Sequence, residues 1–149
     1  MQFGRAQSVP PIHDITTNSA DPPRFEALVE IRGPDANSLD YDAGELAEAT
    51  REAYPFLRPV DSDLAPAAAF DRAEMLVAEL GWEPVAADPQ AGRIEATDTT
   101  VLYGFKDDVV IRIRPRGEGS AIDLRSVSRV GQSDLGTNAA RIRAFMERF

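Results

Sequence analysis

The sequence predicts an α+β fold, in which a four-stranded antiparallel meander sheet is covered by two helices in a two-layer sandwich. Three observations support this prediction. Four strand-like runs follow one another between residues 82 and 128, and short turns join most of them. A helix with an apolar stripe precedes the runs, and another follows them. The chain has 149 residues, which suits a single domain of ordinary size.

The four predicted strands are short runs with one apolar face each. In the third run, Val109, Ile111 and Ile113 share a face, and Arg112 and Arg114 lie on the other. This alternation gives each strand one solvated face, which is typical of antiparallel sheets. The turns DPQAG and PRGEGS are short enough for hairpins. The runs are WEPVAAD (82–88), RIEAT (93–97), DVVIRIR (108–114) and AIDLRSVS (121–128).

Three helices are predicted, two of which cover the sheet. A short extra helix is predicted at 43–53, where Asp42 and Glu45 have the spacing of a capping box. One covering helix is predicted from Pro66 to Gly81, because proline suits a first turn and glycine a helix end. The other is predicted at 135–148, where an apolar stripe accompanies arginines near the carboxyl end.

Residues 1–40 form an extended, proline-rich arm that we expect to lie on a single domain of residues 41–149. Proline removes backbone donors and favours extended geometry in the residue before it. Within the arm, FEALVEI (25–31) is interpreted as a short strand. Partial disorder of the arm is the alternative.

Composition excludes several function classes. The net charge of −9 repels phosphate backbones, so we expect no nucleic-acid partner. The chain has no cysteine and one histidine, His13, which excludes Cys-ligated and His-rich metal sites. Phosphate-loop and dinucleotide fingerprints are absent, so we expect neither a metal nor a cofactor.

The polar turn, Arg125 to Ile142, is the most unusual segment. Glycines and a helix start supply free N–H groups, and nearby arginines would help to hold a carboxylate or a phosphate. The alternative is structural: Asp134 satisfies the helix start, and the arginines pair with acidic neighbours. The candidate binding residues are Arg125, Ser128, Arg129, Gly131, Ser133, Asp134, Asn138 and Arg141.

A second candidate surface is the loop TTVLYGFKDD (99–108), in which Leu102, Tyr103 and Phe105 are the candidate contact residues. Aromatic residues in a loop are found at contacts with a ligand, a membrane surface or a protein partner. Alternatively, they pack beneath the loop as an extension of the core.

Three blocks of the sequence resemble the domain-of-unknown-function family 1499 (DUF 1499): PPIHDITT, GWEPVAADPQAGRIEATDTTVLYGFKDDVVIRI and RSVSRVGQSDLGTNAARI. The family run Ser-Arg-x-Gly-x-Ser-Asp-x-Gly-x-Asn matches Ser128 to Asn138 without departure. The resemblance implies a bacterial module of the cell envelope, tethered to a membrane by an anchor that this chain lacks. A cytoplasmic location is the alternative.

We therefore expect a non-enzymatic soluble module that binds an unknown small ligand or protein partner through the polar turn, with membrane contact only through the tether. A hydrolase-like enzyme is the first alternative, in which Ser133 or Asp134 acts with His13. A structural or assembly role, using a sheet edge or the arm, is the second.

Overall fold

A computed structural model describes residues 13–41, 43–100, 104–130 and 136–149. Within these ranges the chain forms six strands and four helices. In chain order they are β1 (Asp14–Thr16), α1 (Ala27–Arg32), α2 (Glu45–Ala53), β2 (Val60–Ser62), α3 (Pro66–Glu79), β3 (Glu83–Asp88), β4 (Arg93–Thr99), β5 (Lys106–Arg116), β6 (Gly119–Ser128) and α4 (Thr137–Arg148).

The strands form one antiparallel sheet, in the order β1-β6-β5-β4-β3. The predicted meander is confirmed as β3 to β6, but the sheet has six strands rather than four. Both additional strands pair with β6: β1 lies against residues 125–127, and β2 lies against residues 120–122. Each contains three residues, which is too short for a side-chain alternation to be recognised in the sequence.

One face of the sheet, the helix face, packs against α3 and α4 and contains the main core. Ile111 and Leu124 are neighbours on β5 and β6 and are fully buried there. Phe70 of α3 and Phe145 of α4 belong to the same apolar cluster. Proline occupies the first turn of α3, as predicted. Asp42, the predicted cap of the short helix α2, lies outside the described residues.

The other face, the arm face, is covered by residues 13–41, here called the arm. Phe25 and Leu28 pack there on Val110 and Val127. The strand predicted at 25–31 is wrong, because α1 forms over most of that stretch. The arm therefore adds a layer to the predicted two-layer sandwich, and it is not extended throughout.

A carboxylate on the sheet explains the helical conformation of α1. Glu95 is buried in β4 and accepts hydrogen bonds from the backbone N–H groups of Glu26, Ala27 and Leu28, at 3.0, 2.9 and 3.0 Å. These donors lie at the start of the helix, where backbone N–H groups have no intrahelical partner. The alternating pattern of 25–31 gives no indication of this contact, since Glu95 is distant in the sequence.

Candidate functional site

The described residues of the polar turn lie on both faces of the sheet. Side chains alternate along β6, so Arg125 points to the arm face, whereas Ser126 and Ser128 point to the helix face. Gly131, Ser133 and Asp134 lie outside the described residues. The described part of the turn therefore does not form a single cluster.

On the helix face, a buried polar network joins β6 to α4. Asn138 donates to the Ser128 hydroxyl at 3.0 Å, and the Ser126 hydroxyl donates to the Asn138 carbonyl oxygen at 2.6 Å. Arg141 donates to the same Asn138 oxygen at 2.7 Å. The side chains of Ser126, Ser128 and Asn138 therefore hydrogen-bond within the protein.

Two carboxylates compensate the charge of Arg141. Its Nε donates to Asp98 at 2.8 Å, and its Nη2 lies 2.8 Å from Oδ2 of the buried Asp107. The second contact is a close ion pair between two almost fully buried side chains. Arg141 is consequently held between β4 and β5.

Arg129 shares a buried carboxylate with the arm. Asp108 accepts from Arg129 at 2.7 and 3.1 Å, from Arg32 of α1 at 2.7 Å, and from Thr97 at 2.9 Å. The hydrogen bonds to Asp108 raise the pKa of Arg129, whereas burial lowers the pKa of Arg32. Two guanidinium groups thus surround one carboxylate and attach the end of α1 to the sheet.

Arg125 is enclosed by the arm, and its side chain is 4% exposed. It forms a bidentate pair with Asp14 at 2.9 and 2.7 Å. It also donates to the carbonyl oxygens of Pro23 at 3.1 Å and Leu39 at 2.6 Å. Its guanidinium lies 5.5 Å from the ring centre of Phe25, close enough for a cation–π contact. Arg125 therefore attaches both ends of the arm to β6.

These contacts match one part of the structural alternative for the polar turn, the pairing of the arginines with acidic side chains. The other part, Asp134 at the helix start, lies outside the described residues. The sequence does not reveal the acidic partners, Asp14, Asp98, Asp107 and Asp108, because they come from three different strands. The one available signal is position: Asp107 and Asp108 directly precede the apolar alternation of β5, where strand residues become buried.

A cavity of about 470 Å³, here called the arm cavity, opens between α1 and residues 39–41. Its walls combine apolar, aromatic and charged groups of both signs, and the charged residues are Asp21, Arg24, Asp40 and Arg125. Burial raises the pKa of the Tyr41 hydroxyl. That hydroxyl approaches Thr50 but makes no well-aligned hydrogen bond within the described ranges. Lining residues include Arg24, Phe25, Val29, Leu39, Tyr41 and Arg125.

Phe105, the described candidate residue of the second surface, lies at the same end of the sheet as Arg129 of the polar turn. Phe105 precedes β5 and Val130 follows β6, and the two residues are 54% and 55% exposed. The two chain segments are held together by the Arg129 N–H, which donates to the Lys106 carbonyl at 2.9 Å. Leu102 and Tyr103 lie outside the described residues.

His13 also lies at this end of the sheet. Its carbonyl oxygen accepts a hydrogen bond from the Ser128 N–H at 2.8 Å, so the start of the arm meets the start of the polar turn. In the described ranges, no group of three or more His, Cys, Asp or Glu side chains is placed to hold a metal ion. No described helix is long and apolar enough to cross a bilayer.

Comparison with known proteins identifies the family of the chain. None of the curated proteins compared with it gives a significant match. One family model, described as a protein of unknown function (DUF1499), matches residues 14–149. The match includes β1, the sheet and both covering helices, which is nearly the whole chain. The chain therefore belongs to the DUF1499 family.

Proposed function

We propose that this protein is a non-enzymatic binding module and that it holds a small ligand in the arm cavity. The observation that carries the proposal is a concave, partly apolar space of about 470 Å³ that contains a rigidly held guanidinium group. Sites for small molecules are typically clefts of about 300–1,000 Å³ with apolar walls and a few fixed polar groups.

The hydrogen bonds of Arg125 indicate which kind of chemical group the ligand presents to it. A guanidinium group has five N–H donors, and four hydrogen bonds of Arg125 go to Asp14, Pro23 and Leu39. The second N–H of Nη1 has no partner in the described portion of the chain. Because Asp14 already balances the charge, the remaining donor suits a neutral or weakly charged acceptor better than a strong anion.

The apolar lining of the arm cavity indicates the rest of the ligand's chemistry. Phe25, Val29 and Leu39 line the cavity and offer an aromatic ring and two branched side chains. A ligand with an apolar or aromatic body and at least one hydrogen-bond acceptor fits these groups. All three arginines of the polar turn face buried carboxylates, and of the three only Arg125 lines this cavity, which is why the arm cavity is favoured.

A matched pair of substitutions on α1 tests the proposal. Val29 lines the cavity and is 52% exposed, whereas Ile31 is 55% exposed and lies outside its lining. The probe is 6-propionyl-2-(dimethylamino)naphthalene, a neutral molecule with an aromatic body and a carbonyl acceptor, titrated by fluorescence. We expect one site per chain, weakened at least about tenfold by Val29→Trp and less than about twofold by Ile31→Trp.

Equal effects of the two substitutions, or no binding to the wild type, would contradict the proposal. Circular dichroism of both variants checks that each retains the native fold.

A hydrolase-like activity is the second candidate, and the backbone contact between His13 and Ser128 favours it, because it brings the backbone of the chain's one histidine to the start of the polar turn. If Ser133 is a nucleophile and His13 its base, p-nitrophenyl acetate hydrolysis falls about 100-fold in both Ser133→Ala and His13→Ala. Ser38→Ala, at an exposed arm serine, is the control. Unchanged hydrolysis in Ser133→Ala would exclude this mechanism.

A further inference from the structure

A second concave site lies on the opposite side of the sheet from the arm. A groove of about 460 Å³ runs between the first half of α3, the turn joining β3 to β4, and the end of β5. Phe70 and Ile113, both almost fully buried, contribute to its lining. Prolines 66, 89 and 115 also line it, so we call it the proline groove.

The proline groove has a preformed shape. Proline has a fixed φ angle, so the backbone is locally stiff at all three prolines that line the groove. Gly92, in the turn, has a φ of +69° and accepts a hydrogen bond from the Ile113 N–H at 2.7 Å. A Cβ at Gly92 would lie 2.4 Å from the Ile113 carbonyl oxygen, so only glycine permits this close contact. The turn is therefore fixed against β5.

The charge of the groove has one sign. Asp71 and Glu74 line it from exposed positions on α3, three residues apart and hence on neighbouring parts of one helix face. Neither carboxylate forms an ion pair with a described residue, and no Arg, Lys or His is found among the lining residues. By contrast, the arm cavity is lined by charges of both signs, Arg24 and Arg125 together with Asp21 and Asp40.

We infer that the proline groove binds a small organic ammonium ion with an apolar body. The apolar body lies against Phe70, Ile113 and the prolines, where it leaves water. The ammonium group lies at the rim, where two uncompensated carboxylates provide a negative potential. A neutral ligand gains nothing from that rim, and an anion is repelled by it. This inference does not depend on the arm cavity, which is a separate site.

Dansylcadaverine is a suitable probe, because it combines an aromatic group with a primary amine, and binding is measured by fluorescence anisotropy. N-Pentyl dansylamide, which has the same ring system and alkyl chain without the amine, is the matched probe. We expect dansylcadaverine to bind about fivefold more tightly than N-pentyl dansylamide, since two exposed charge contacts contribute modestly. The combined substitution Asp71→Asn and Glu74→Gln removes that difference. Glu79→Gln, on the same helix outside the groove, preserves it.

Two adjacent alanines locate the probe. Ala67 lines the groove, whereas its exposed neighbour Ala68 does not. Ala67→Trp fills the groove and weakens dansylcadaverine at least about tenfold, and Ala68→Trp changes its affinity less than about twofold.

Three results would overturn the inference. The first is equal affinity for the two probes in the wild type. The second is equal effects of Ala67→Trp and Ala68→Trp. The third is tight binding of a dansylated peptide that contains lysine. If its affinity exceeds that of dansylcadaverine more than about tenfold, and depends on Asp71 and Glu74 in the same way, the occupant of the groove is a polypeptide.

Discussion

Removing one partner of the buried Asp14–Arg125 pair should destabilise the protein strongly. The two side chains are 1% and 4% exposed, and the shortest contact between them is 2.7 Å. Asp14→Asn retains the size of the side chain but removes its charge. The guanidinium of Arg125 then remains buried without a counter-ion.

The structure supplies an internal reference for the size of this effect. The pair Arg116–Asp61 has the same contact distance of 2.7 Å, but its side chains are 65% and 66% exposed. Breaking a buried pair by removing one partner costs about 3–5 kcal/mol, whereas an exposed pair contributes about 0–1 kcal/mol. We therefore expect Asp14→Asn to lower the free energy of unfolding by about 3 kcal/mol. Asp61→Asn should lower it by less than about 1 kcal/mol.

Chemical denaturation followed by circular dichroism measures both values. For a protein of this size, a loss of 3 kcal/mol corresponds to a fall in Tm of roughly 6–12 °C. The combined substitution Asp14→Leu and Arg125→Met removes both charges of the pair. It should recover at least half of the loss, although the carbonyls of Pro23 and Leu39 lose their donor.

Similar, small effects of Asp14→Asn and Asp61→Asn would refute this reasoning. That result would mean that Arg125 is hydrated or finds another partner, and that burial does not set the cost of breaking the pair.

Three further predictions concern the arm and the turns. Glu95→Gln should lower the free energy of unfolding by about 2 kcal/mol, because the Glu95 carboxylate accepts hydrogen bonds from three backbone N–H groups at the start of α1. Hydrogen exchange should accelerate selectively at those three amides. Burial raises the pKa of the Tyr41 hydroxyl in the folded state, so the hydroxyl ionises in the unfolded chain at a lower pH than in the folded protein. The free energy of unfolding therefore falls as the pH rises above ~10. Tyr41→Phe should therefore lose less stability than the wild type between about pH 8 and pH 10.5 in denaturation curves, and parallel losses would contradict this. Gly92 and Gly104 have φ angles of +69° and +68°, but only Gly92 faces a backbone atom where a Cβ would lie. Gly104→Ala should cost about 1 kcal/mol and Gly92→Ala at least about 2 kcal/mol more, and equal thermal shifts would contradict the predicted clash.

The sheet and its covering helices were predictable because their signals are local. Val109, Ile111 and Ile113 alternate with their neighbours, and the structure buries all three in the core beneath α3 and α4. Proline at the start of α3 and glycine after its end are likewise local signals. Such patterns depend on residues that are close together in the chain, so they can be recognised without knowledge of the tertiary structure.

The arm was predicted less well, because its conformation depends on distant residues. The segment 25–31 alternates like a strand, but it also places Phe25 and Leu28 at helical spacing. Glu95 favours the helix by binding its first N–H groups, 67 to 69 residues away along the chain. The sequence contains both patterns and does not indicate which one has a partner on the sheet.

The sequence by itself determined the antiparallel meander, the two helices that cover it and the family to which the chain belongs. Only the tertiary structure decided the role of the charged residues. Asp14 and Arg125 are separated by 111 positions, and their pairing depends on β1 lying against β6. A guanidinium group binds an external anion or an internal carboxylate equally well by its chemistry. Which of the two it meets is a matter of where the folded chain places the carboxylate.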